Sequence, residues 1–113
     1  MRVIGIDPGT AITGYGVVEG EGDTLEAVSY GVITTPADWA LPRRLQEIYA
    51  QLAALTTEWQ PESAAVEELF FSKNARTALV VGHARGVALL ALAKLLLHAP
   101  SQDMKCSTRM PGK

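Results

Sequence analysis

A chain of 113 residues, 48% apolar and 19% charged with a formal net charge of −2, has the apolar content for one core in one domain of ordinary size. That balance excludes a disordered chain, and 10 Gly, 6 Pro and a single Cys exclude collagen-like and disulfide-scaffold classes. Cys106 has no partner in the chain, the N-terminus shows no leader pattern, and the run from Val87 to Leu97 is broken by Lys94 and falls short of the ~20 residues of a bilayer crossing, so a reducing, cytoplasmic setting without a membrane is expected.

Arg2 to Asp7 alternates around Val3, Ile4 and Ile6 and predicts a first strand, followed by a turn at Pro8-Gly9-Thr10. Thr13 to Glu19 predicts a second strand, Gly20-Glu21-Gly22-Asp23 a hairpin turn, and Leu25 to Thr35 a third strand. From Pro42 the apolar period changes to 3.6: Leu45, Ile48, Tyr49, Leu52, Leu55 and Trp59 share one stripe, with Pro42 suited to a first turn and Pro61 just past the end. Ser63 to Leu69 reads as a buried strand carrying Glu67 and Glu68, and a long second helix runs from Asn74 or Arg76 to Leu97, with Gly82 and Gly86 allowing another backbone to come close. The fold class is therefore α/β: an antiparallel three-stranded meander, extended by a parallel strand, with helices as crossovers. One domain covers 1–98, and 99–113, without apolar periodicity, is expected to be a disordered tail.

The chemistry-bearing residues follow from this order. Asp7 ends an apolar strand, and Glu67 lies in another between Val66 and Leu69; a parallel crossover sets those two strands side by side. Two carboxylates on adjacent strands suit Mg²⁺, a hard cation that takes oxygen ligands, and two such ions about 4 Å apart stabilise both oxygens of a phosphodiester displacement. The alternative is that Asp7 caps a turn while Glu67 or Glu68 points to water; spacing alone does not choose. Phe70-Phe71 beside Ser72-Lys73-Asn74, followed by Arg76 and Arg85, suits unpaired bases stacked beside held phosphates, against the alternatives of core phenylalanines and a solvated helix face. Charge is also divided: residues 1–68 carry 3 basic against 11 acidic residues, net −8, and residues 69–113 carry 7 basic against Asp103 alone, net +6. A carboxylate site beside a phosphate-binding face accounts for that division, as does uneven surface charge without function, and a pI near 5.6 argues against a general nucleic-acid coat protein. His83 and His98 show no metal-ligand spacing, and there is no P-loop, GxGxxG or CxxC.

Gly5-Ile6-Asp7-Pro8-Gly9-Thr10, Thr13-Gly14-Tyr15-Gly16-Val17-Val18, Val66-Glu67-Glu68-Leu69-Phe70, and Lys73-Asn74 followed by Ala84-Arg85-Gly86-Val87-Ala88 closely resemble the RuvC-type Holliday junction resolvases, collinearly from Met1 to about Leu97. The resemblance implies a ribonuclease H-like fold, a homodimer formed through the second helix, binding of four-way junction DNA, symmetric nicking with Mg²⁺ (two ions in the complete site), and partnership with a junction branch-migration motor complex. It also implies that Asp7 and Glu67, rather than Glu68, are metal-binding catalytic carboxylates and that Phe70 lies near junction bases, with Lys73, Asn74, Arg76 and Arg85 as DNA-binding candidates.

The family's later strand, helices and late acidic pair have no counterpart here. Asp103 is the one acid after Glu68, so the chain looks like a resolvase cut short, with an exposed sheet edge, some exposed apolar surface and very slow or absent cleavage expected. Two other functions compete with the nuclease. One is a catalytically inactive junction-binding or dimerising remnant. The other is an ATPase of the actin and sugar-kinase class, which needs two such domains around a nucleotide cleft.

Overall fold

Apolar alternation builds β1 (Arg2–Asp7), in which Ile4 and Ile6 are buried and Asp7, at the end, is exposed. The structure, a computed structural model, describes residues 1–67 and 75–98, with the side chains of 75–78 and 98 outside the described part. β2 (Ile12–Glu21) runs antiparallel to β1 and sets Val17 against Ile4, Tyr15 against Ile6 and Gly14 against Asp7. β3 (Thr24–Thr34) pairs antiparallel with β2 through a two-residue turn, Gly22-Asp23, tighter than the expected four residues. Gly22 makes that turn possible with φ +62°, a conformation that costs a glycine little.

The change of period at Pro42 marks α1 (Leu41–Trp59), with the proline in its first turn. Ile48 and Leu52 are fully buried, and Leu45, Leu55 and Trp59 pack against them. Tyr49, expected on the same stripe, is 43% exposed: one residue past Ile48 turns it about 100° away from the core. The helix stops at Gln60, whose left-handed backbone (φ 47°) lets its N–H donate to Thr56 O at 2.9 Å. The chain then returns as β4 (Ser63–Val66), parallel to β1, with Ala64 beside Ile4 and Val66 beside Ile6. The sheet order is β3-β2-β1-β4, the expected meander plus one parallel strand. β4 ends at Val66, and Glu68 to Asn74 lie outside the described residues.

The expected long second helix is α2 (Ala75–Ala91) and α3 (Ala93–His98), divided at Leu92. Leu92 N–H still donates to Ala88 O and Leu96 N–H to Leu92 O, each at 3.0 Å, so helical bonding continues through the division. Ala84, Ala88 and Leu92 are buried. One sheet face, carrying Ile4, Ile6, Val17, Ile33, Ala64 and Val66, closes the core with Ile48 and Leu52 of α1 and Ala88 and Leu92. On the other face the ladder puts Gly5, Gly14 and Gly16 in a row, flanked by Val32 and Tyr30, 60% and 80% exposed. That is the exposed apolar surface expected from the sequence. Among the described residues no helix is long and apolar enough to cross a membrane. The tail at 99–113 lies outside the described residues.

Candidate functional site

The parallel ladder brings the two acids together. Ile6 and Val66 are register partners, and Glu67 N–H donates to Ile6 O at 2.9 Å, so Asp7 and Glu67 leave the same edge of neighbouring strands on the same face. Partial desolvation, then repulsion by Asp7, then the hydrogen bond that protonated Glu67 shares with Asp7 push the Glu67 carboxyl above its ordinary value of 4.5. A juxtaposed pair of carboxyls whose mutual repulsion favours a proton is equally an attractive place for a divalent cation, and an all-oxygen donor set suits Mg²⁺. The residues present therefore fit such an ion, with Asp7 and Glu67 as the groups that would hold it. Among the described residues no group of three or more His, Cys, Asp and Glu side chains comes together.

Space beside the pair is kept clear by glycine. Gly14 is the cross-strand partner of Asp7, and a Cβ built there would sit 3.7 Å from the Asp7 Cβ. Arg85, on α2, reaches the backbone at this edge: its Nε donates to the Glu67 carbonyl at 3.4 Å, a long contact with the main chain rather than with either carboxyl. Arg76 lies in the first turn of α2 with its side chain outside the described part. Phe70, Phe71, Lys73 and Asn74 lie outside the described residues, as does Asp103. His83 is exposed on α2 and stands in no metal-binding group.

Local pattern did not reveal the polar network behind Asp7. The fully buried Thr13 hydroxyl donates to Gly9 O and accepts from Gly9 N–H at 3.2 Å, closing the loop that follows Asp7. Thr35 Oγ1 donates to Thr10 O at 2.6 Å, Thr35 N–H donates to Ala11 O at 3.2 Å, and Arg44 of α1 donates from Nε to Thr35 Oγ1 at 2.9 Å and from Nη2 to Thr35 O at 3.3 Å. One signal for it was available in sequence: an arginine in the first turn of a helix opposes the helix dipole and so asks for another reason to be there.

Comparison with known proteins shows the family and the fold. Residues 3–105 match the family model of the crossover junction endodeoxyribonuclease RuvC. The RuvC of Chloroflexus aggregans is 58% identical over 94 residues, which cover 83% of this chain and 57% of that protein. That of Alkaliphilus oremlandii is 53% identical over 93 residues, covering 82% and 57%. The chain thus spans a little over half the length of these curated relatives. Thermus thermophilus RuvC, solved in complex with a Holliday junction substrate, superposes with a TM-score of 0.78 at 33% identity, covering 84% of this chain and 58% of that one. The mixed sheet and its helices are accordingly of the ribonuclease H-like class. Matched along most of its length in sequence and in fold, the chain belongs to the RuvC family of crossover junction endodeoxyribonucleases.

Proposed function

We propose that the protein acts on four-way junction DNA in recombination and repair, as a Mg²⁺-dependent endonuclease working in the cytoplasm as a homodimer. The observation that carries this reading is the pairing of Asp7 and Glu67 at one edge of adjacent parallel strands. Asp7 and Glu67 would hold Mg²⁺, two ions in the complete site, which would supply positive charge for the attacking and leaving oxygens of a phosphodiester. By holding it, the two acids would fix where the scissile phosphate comes to rest. Glu67 gives up a proton that its surroundings favour, so metal binding strengthens as pH rises. Arg85, whose Nε contacts the Glu67 carbonyl, supplies with Lys73, Asn74 and Arg76 donors for phosphates, while Phe70 stacks on junction bases.

The homodimer reading draws support from α2 and α3. Leu79, Leu90 and Leu97 are 67%, 66% and 79% exposed, and a Cβ on Gly86 between them would meet nothing within 4 Å. Partnership with a branch-migration motor complex rests on family resemblance alone. A second reading, junction binding without cleavage, is favoured by one observation: among the described residues no third ligand-type side chain joins Asp7 and Glu67.

The test is binding and nicking of a four-way junction, against a duplex of the same sequence, by the purified chain in Mg²⁺. The expected result is preferential junction binding, with slow nicking that disappears in Asp7→Asn and Glu67→Gln. Junction preference with no nicking at all selects the second reading, and equal binding of junction and duplex overturns both.

A further inference from the structure

The two acids are not held equally. Glu67 follows β4 directly, with its own N–H in the ladder to β1. Asp7 is followed by Pro8 to Ala11, which leave the sheet before β2 begins at Ile12. Two carboxylates set side by side repel, and the side that yields is the one with the softer support.

What stiffens that loop is the network described above. Within the loop, Thr13 grips both polar groups of the Gly9 backbone. The fold is tight: a Cβ on Gly9 would lie 2.4 Å from Ile12 O, so only glycine fits. From outside, Thr35 grips Thr10 and Ala11 and is itself held by Arg44. The direction of these bonds is forced. A guanidinium can only donate, so the Thr35 hydroxyl accepts from Arg44 and must spend its single proton on Thr10 O. A charged donor at the head of the chain polarises the hydroxyl and strengthens the second bond. Thr10 and Thr35 are each 6% exposed and Thr13 is fully buried, so water does not compete. Arg44 meanwhile occupies a helix first turn that has no acidic residue and no side-chain cap, a place where its charge does the helix no good.

We propose that Thr35 and Arg44 are positioning residues, whose hydrogen-bond chain from the first turn of α1 to Thr10 O holds the loop after Asp7, and so holds Asp7 itself, against Glu67. The inference rests on the metal-binding reading of that pair only in its consequence for Mg²⁺; the clasp itself can be judged without metal.

The experiment compares Thr35→Val, which keeps the shape and removes the hydroxyl, with Thr35→Ser, which restores the hydroxyl, in the full chain. Arg44→Met tests the head of the chain and serves in place of Thr35→Val should that variant not fold. Ile48→Val, which thins the core away from the loop, controls for general loss of stability. Amide exchange protection at Gly9 and at position 35 reads the loop, and calorimetric titration with Mg²⁺ reads the acids. Thr35→Val and Arg44→Met are expected to lower protection at these amides by about tenfold, the scale of one lost hydrogen bond, and to weaken Mg²⁺ binding by several-fold. Thr35→Ser restores both, and Ile48→Val does not single out these amides. Unchanged protection in Thr35→Val, or failure of Thr35→Ser to restore it, overturns the clasp. Lost protection with Mg²⁺ affinity intact overturns the positioning role, provided Asp7→Asn abolishes that affinity. If Asp7→Asn binds Mg²⁺ as well as the unaltered chain does, the metal reading fails instead, and protection alone then decides the clasp.

Discussion

Setting Glu67 beside Asp7 costs the folded state stability whenever both are ionised. The Glu67 carboxyl is pushed above its ordinary 4.5 in the folded chain, so the folded state binds its proton more tightly than the unfolded chain does. The contribution of the protonated form is therefore fully present below about pH 4.5 and is lost as pH rises through the raised value. Glu67→Gln mimics the protonated form at every pH. Without metal, it is expected to melt at a higher temperature than the unaltered chain at pH 7.5, with the gap closing at pH 4. Thermal denaturation followed by circular dichroism checks this, and an equal gap at both pH values would refute it. Asp7 and the Glu67-Glu68 pair stand out in sequence, because a carboxylate in an apolar strand is a mismatch that asks for a partner, but only the family resemblance chooses Glu67 over Glu68. The clasp behind them does not stand out. Thr35 bonds Thr10 across 25 positions and Arg44 across 9, and no periodicity links such residues until the strands and α1 are docked.

The elements themselves were largely legible where a long repeat governed them, and least so at their ends. Period-2 alternation and a clean switch to 3.6 at Pro42 are sufficient for β1 to β3 and α1, and a helix between two strands is sufficient for the parallel β1–β4 pair. Tyr49 leaves the core because the apolar stripe is wider than the buried arc of a helix lying on a sheet, where Ile48 and Leu52 take the central line. On α2 and α3 apolar residues fall on every side of the helix, so the sequence pattern does not say which face is inside. The structure separates them: Ala84, Ala88 and Leu92 face the core, while Leu79, Gly86, Leu90 and Leu97 fall on the opposite side. Two substitutions distinguish the faces. Leu52→Ala in the core should cost about 2–5 kcal/mol of stability by leaving a cavity. Leu90→Lys should alter stability by no more than about 0.5 kcal/mol, as an exposed position does, yet weaken self-association measured by sedimentation. Self-association that survives Leu90→Lys would remove this face from the dimer.

For the molecule as a whole, charge is laid out along the chain as the sheet is laid out in space. Residues 1–68 hold all but one of the acids, and the later segment holds most of the cations, net −8 over residues 1–68 against +6 over 69–113. β4 and α2 join the two regions at one place, where the chain passes through Glu67 and returns with Arg85 against its carbonyl. A polyanion such as the proposed junction substrate would be repelled by the acidic meander and drawn to the cations of α2, near the place where Arg85 meets the Glu67 backbone. The strength of that attraction is readable from salt. If Lys73, Arg76 and Arg85 each neutralise one phosphate, the logarithm of junction affinity falls against the logarithm of salt with a slope of about −3 per protomer, near −0.9 for each contact. Arg85→Gln should then reduce the steepness by about one while weakening junction and duplex binding by similar factors, because a phosphate contact carries little information about shape or sequence. Fluorescence anisotropy across a salt series gives both quantities. An unchanged slope in Arg85→Gln would mean that Arg85 serves only the Glu67 carbonyl, leaving Lys73 and Arg76 to carry the phosphate track.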